Sequence, residues 1–257
     1  MEFKSKNPFL SNKSFAKGEA NVYTADGRPV EIIDYNNTMT VQGAINKTFV
    51  LFALLLTGAG ITWYMALMGQ NPMTLTIAGA IIGLIMVIAA AFAPKQSQYL
   101  APAYALFEGL FIGGISALFE GMYPGIVLKA VGSTFVTFFV CLALYRFGVV
   151  KVTEQFKSVV IASTLAIASF YLIAWILSFF GVGMFFYGNS LMSIGFSIFV
   201  IIIAALNLFM DFDMIEQGAR QRNPKYMEWF GAMGLVITMV WLYIEFLRLL
   251  SKLQSRN

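Results

Sequence analysis

Residues 204–250 read AALNLFMDFDMIEQGARQRNPKYMEWFGAMGLVITMVWLYIEFLRLL. Two apolar runs flank a basic linker. Asp211 and Asp213 close the first run, and Glu245 sits inside the second. An acid inside a bilayer-length apolar run costs about 3 kcal/mol on insertion scales. Such a residue is expected to face a partner, water or a cation. This stretch places the chain in a membrane and holds its candidate chemistry; the rest reads mainly as scaffold.

Working outward, the same apolar pattern recurs. The chain has 257 residues, 59% of them hydrophobic and only 12% charged. Soluble domains run at about 25% charged. Seven apolar runs follow a polar start: 48–68, 73–93, 99–118, 126–147, 159–180, 191–214 and 229–250. Each is long enough, at about 1.5 Å per residue, to cross a hydrocarbon core of about 30 Å. Only helices satisfy their backbone there without neighbouring strands. The expected fold class is therefore all-α: an integral membrane bundle of seven transmembrane helices spanning 44–253. Residues 1–43 read as a polar, mostly disordered cytoplasmic tail carrying Lys4, Lys6, Lys13, Lys17 and Arg28. No apolar core follows its first cations, so it is not a secretory signal.

Loop charge gives the orientation. The linkers after the second, fourth and sixth runs are basic, whereas those after the first, third and fifth carry no Lys or Arg. The positive-inside rule then puts the N-terminus in the cytoplasm, as in a multi-pass protein of the inner membrane. The seventh crossing sets Lys252 and Arg256 outside, against the rule. Either the C-terminus is outside despite its charge or the last run is re-entrant; its length favours seven full crossings. Gly79 and Gly83, and Gly109 and Gly113, recur at the spacing that lets helices approach closely within a bundle.

Composition also excludes chemistry. There is no histidine, and Cys141 is the only cysteine. Disulfides, thiolate metal clusters and Ser–His or zinc–His catalysis are unavailable. No nucleophile–base pair, phosphate loop or dinucleotide fingerprint occurs, so an enzyme is not expected. The net charge of +4 lies in loops, a membrane pattern rather than a nucleic-acid surface. A response to pH between about 5 and 8 must rest on carboxylates, because the usual switch residue is missing.

Four acids are candidates. Glu108 lies nine residues after Tyr99, about 13 Å into the membrane, and is either a buried, hydrogen-bonded acid or a cation ligand. Asp211 and Asp213 are two residues apart, about 200° on a helix, so they face opposite ways. Asp213, Glu216 and Arg220 share a face. Glu245 either pairs with Arg248 one turn on or meets an acid of the sixth helix. Two carboxyls in contact share a proton, hold two helices together when protonated and repel when ionised. They also attract Ca²⁺, which prefers oxygen ligands.

LFMDFDMIEQG together with WLYIEFLRLL resembles the end of the Bax inhibitor-1-like family, in its bacterial subgroup. EGLFIGGISALFEGMYPGI and GSTFVTF are similar to that family's third and fourth helices. The likeness covers 43–253 and leaves the tail outside. It implies a seven-helix bundle with a central last helix, acting as a pH-sensitive calcium leak channel gated by an acid pair between helices six and seven. The matching positions are Asp213 and Glu245, which would also be the Ca²⁺ ligands. No cofactor is implied beyond the passing ion; the partners are the bilayer and Ca²⁺ or H⁺.

The chain departs from the family's pattern in places. The helix-seven acid is Glu rather than Asp, and 32 residues separate it from Asp213. A hairpin pairing the two would turn at Trp229, yet Asn223–Pro224 is the turn signal. Either 224–229 lies along the interface or Asp213 meets another group, such as Glu228. The family's helix-two arginine has no match, and Lys95 is the nearest cation. Arg248, Lys95, Arg220 and Glu228 are thus the candidate charge partners. A competing function is a non-conducting membrane protein whose tail modulates a protease or stress-response partner.

Overall fold

The computed structural model describes residues 22–23, 29–30, 37–181 and 188–256. The expectation of a disordered tail falls largely outside them. The chain forms two units, Met1–Thr38 and Met39–Asn257. In the first, β1 (Val22–Tyr23) pairs antiparallel with β2 (Pro29–Val30).

The second unit is a bundle of seven helices: α1 (Val41–Leu67), α2 (Met73–Phe92), α3 (Ser97–Met122), α4 (Ile126–Arg146), α5 (Glu154–Ser178), α6 (Leu191–Arg220) and α7 (Met227–Gln254). A single 3₁₀ turn, Pro94–Gln96, leads into α3. All seven helices are long and apolar enough to cross a membrane. Ile77, Ile81, Leu84, Ile85 and Ile88 of α2 stand exposed, an apolar face that a bilayer covers and water would not.

Several helices outrun the apolar runs because polar residues cap and extend them. Thr40 accepts from the Gly43 N–H, Thr153 from Phe156 and Ser190 from Ser193, each satisfying a free donor of a first turn. At the start of α4, Gly125 takes a left-handed φ of 82°. Its N–H and that of Val127 donate to Glu120 at 2.6 and 3.1 Å, so one carboxylate ties the end of α3 to the positive end of α4.

Glycines set the helix contacts. A Cβ on Gly58 or Gly109 would overlap backbone of the facing helix, Leu106 and Leu55 respectively, so α1 and α3 meet backbone to backbone. Gly79 does the same for α2 against Phe107. The last helix is central, as the resemblance implied. In its most apolar 18-residue window 67% of residues are buried, against 17% in α5. Met233, Val236 and Leu247 pack with α1, α3 and α4, while Leu235, Met239 and Leu242 pack with α6.

Candidate functional site

The register of α6 on α7 decides which acids meet. Asp211 lies beside Gly234, Ile215 beside Gly231, and Lys252 reaches Ser193. That register sets Glu245 level with Val200. Asp213 lies seven residues before the end of α6, and Glu245 eighteen residues into α7. At about 1.5 Å per residue they are separated in depth by roughly 15–20 Å. The expected Asp213–Glu245 pair is therefore not formed, and with it goes the two-carboxylate Ca²⁺ site at those positions. The physical reason is the turn: α6 runs on to Arg220 and α7 begins at Met227, so 224–229 is no long interfacial spacer. Among the described residues, no three carboxylate, cysteine or histidine side chains gather as a metal site.

Asp213 faces α5. Its carboxylate sits 3.3 Å from Lys157 Nζ and accepts from Gln217 at 2.6 Å. Arg220 does not serve Asp213; it binds Glu216 at 2.6 Å, which also accepts from the Tyr145 hydroxyl at 2.6 Å. Asp213, Gln217, Glu216, Arg220 and Tyr145 line a hollow of about 470 Å³ with Arg146 and Lys151. Asp211 turns the other way, toward α7, and accepts from the Thr238 hydroxyl. Its Oδ2 is buried without a hydrogen-bond partner.

Glu245 is 1% exposed. Its Oε1 accepts from Arg248 Nη1 at 2.9 Å and from the Tyr171 hydroxyl at 3.1 Å. Its Oε2 is buried with no partner. Of the two alternatives for this residue, the local pair with Arg248 is the one formed. Glu228 is fully buried and meets neither Asp213 nor Glu245. It accepts from the N–H and hydroxyl of Thr40, each at 2.9 Å, and pairs with Lys47 and, at 3.0 Å, with Lys225. Lys95 is exposed in the 3₁₀ turn and makes no ion pair with a described residue. Glu108 lies against Gly83 of α2, with a carboxylate oxygen 2.8 Å from where a Cβ would stand.

A polar seam joins these acids. On α5, Lys157, Thr164 and Tyr171 recur every seven residues, one stripe of the helix. They meet in turn Asp213, Asn207 and Glu245; the Asn207 amide donates to Thr164 at 2.9 Å. On α7, Thr238 and Glu245 are two turns apart on one face, about 10 Å by helical rise. Arg248 and Lys252 continue that face, and Lys252 donates to the Ser197 hydroxyl at 2.8 Å. Between the two unsatisfied carboxylate oxygens the seam is apolar: Ile167, Val200 and Ile203 pack with Trp241. The seven-residue repeat on α5 was readable in the sequence. It stayed hidden because Thr164 and Tyr171 carry no charge.

The family model described as Bax inhibitor 1 like matches residues 7–255. The match takes in most of the 1–43 segment that the sequence resemblance left outside. A search among curated proteins finds no match.

Proposed function

Given that the chain belongs to the Bax inhibitor-1-like family, we propose that it is a leak pathway for a cation, Ca²⁺ or H⁺, across a cytoplasmic membrane. Asp211 and Glu245 are its two carboxylate stations, and the route is the seam between α5, α6 and α7. One observation carries this: two buried carboxylate oxygens, Asp211 Oδ2 and Glu245 Oε2, have no partner among the described residues and belong to one polar seam. An ionisable residue at membrane depth is costly and is read by default as part of an ion or proton path, and here each acid keeps one oxygen unpaired. Carboxylate, hydroxyl and amide oxygens along the seam suit Ca²⁺. The Ile167–Val200–Ile203–Trp241 cluster closes the route between the stations, as an apolar constriction does. With no histidine in the chain, a response to pH rests on these acids. The start of α1 is cytoplasmic in this reading, because the basic helix ends gather there.

The test is Ca²⁺ and H⁺ flux into proteoliposomes between pH 6 and 8. Wild type is expected to conduct. Asp211→Asn and Glu245→Gln are each expected to change the flux and its pH dependence, whereas Asp213→Asn is expected to leave both near wild type. A wild type that conducts neither ion would leave the competing role, a non-conducting interaction protein, in possession.

A further inference from the structure

Building on the leak reading, we propose that Arg248 is a tethered plug. Its guanidinium occupies Glu245 in the place a passing cation would take, and Tyr171 of α5 holds it there. Four contacts define the arrangement. Arg248 Nη1 donates to Glu245 Oε1 at 2.9 Å. The Tyr171 hydroxyl donates to the same oxygen at 3.1 Å and accepts from Arg248. The guanidinium carbon also lies 5.0 Å from the centre of the Tyr171 ring, a cation–π contact. Glu245, Tyr171 and Arg248 thus form a closed triangle across α5 and α7.

The charge balance around Glu245 favours a plug over a binding site at rest. Among the described residues, the charged or titratable groups facing it are Tyr171 from α5 and Arg248 and Lys252 from α7. Val200 and Ser197 are what α6 brings to that level. One carboxylate therefore stands against two cations. A divalent cation arriving at Glu245 meets net positive charge, which repels it as a fixed arginine does in a selective pore.

Release has a ready mechanism. Arg248 is six residues from the end of α7, about 9 Å by helical rise, and two residues from the end of the apolar run. A long basic side chain at that depth snorkels to the interface when nothing holds it. The holder sits on the least buried of the seven spans. Between α5 and α6 a hollow of about 310 Å³, lined by Ser163, Ile167, Phe170 and Phe199 among others, leaves α5 room to shift. A shift of α5 removes the Tyr171 contacts to Glu245 and Arg248 together and uncovers Glu245.

Two measurements test this. The first is resting Ca²⁺ leak in proteoliposomes. Arg248→Gln is expected to raise it about tenfold, the factor carried by about 1.4 kcal/mol of barrier. Arg248→Lys is expected to stay near wild type, and Arg248→Gln with Glu245→Gln to fall below Arg248→Gln. A leak from Arg248→Gln at or below wild type, while Glu245→Gln alters flux, would overturn the plug and leave the leak reading standing. The second needs no flux and covers a variant that fails to fold: the rate at which phenylglyoxal modifies Arg248, read by peptide mass spectrometry. Tyr171→Phe is expected to speed it several-fold, since the hydroxyl contact is gone. An unchanged rate would show that Tyr171 holds nothing, whether or not the protein conducts.

Discussion

Glu228 shows how much one buried charge can organise. It has no exposed surface, and its carboxylate joins the first turn of α1 to the first turn of α7 through Thr40 and Lys47. Gly43 leaves it room, because a Cβ there would overlap the carboxylate. Breaking a buried ion pair by removing one partner costs about 3–5 kcal/mol. Glu228→Gln and Gly43→Ala are both expected to lower the thermal unfolding midpoint in detergent. Gly60→Ala, with nothing within 4 Å of its Cβ, is expected to hold or raise it. A Gly43→Ala midpoint equal to that of Gly60→Ala would show that the clamp is not tight.

This role was not legible beforehand. Lys47 lies 181 residues away in the chain, and no spacing rule connects the two. The pair Asp211 and Asp213 was half legible. Helical geometry required them to face apart, but which faced α7 depended on the α6–α7 register, and the motif likeness pointed to Asp213, which faces Lys157 of α5. Asp213 is answered by Lys157 at a partly exposed position, where such a pair contributes at most about 1 kcal/mol. Asp213→Asn should accordingly shift stability little, a result readable in the same unfolding assay.

Among the elements, α5 stands apart from the rest. The glycine-lined seams of α1, α2 and α3 bring backbone against backbone, and such packing has no slack. A leucine at Gly109 is expected to leave little folded protein on size exclusion, while one at Gly132, which has open space around it, is expected to be tolerated. By contrast α5 is tied by three polar contacts, each worth about 0.6 kcal/mol in membranes, around a thin apolar cluster. If α5 moves during conduction, joining it to α6 should stop the flow. Thr164→Cys with Asn207→Cys, in a Cys141→Ala background, places thiols where two side chains now touch. Oxidation is expected to halt flux and reduction to restore it; equal flux in both states would mean that α5 does not gate. Existence and order of the helices were readable from apolar length alone. Their ends were not, because the capping residues and the charged turns at 41–47 and 215–220 extend helices past the apolar stretches.

At the scale of the whole molecule, alternation of seven helices gathers Lys47, Lys95, Arg146, Lys151, Arg220, Arg222 and Lys225 at one end of the bundle. The opposite end holds fewer cations, among them Lys129 and Arg256. If this basic end is the cytoplasmic one, as we propose, a cysteine replacing Lys151 is expected to react with an impermeant thiol reagent only in everted vesicles, and one replacing Gly121 only in right-side-out ones, both in the Cys141→Ala background. The reverse pattern would invert the topology. The seven spans and the central last helix were visible in the sequence and its likeness. The polar seam was not, since it is made by three helices whose polar residues are sparse along the chain and come together only when packed.

That route is open to a direct probe. Thr238, beside Asp211, lies within the proposed path, whereas Ile85 faces the lipid. Single cysteines at each, with Cys141→Ala, can be treated with a positively charged methanethiosulfonate reagent while Ca²⁺ flux is followed in proteoliposomes. Flux blocked through position 238 and untouched through position 85 is the expected result. Flux that is indifferent to a charged adduct at position 238, once mass spectrometry shows the adduct is there, would contradict a path along the α5–α6–α7 seam.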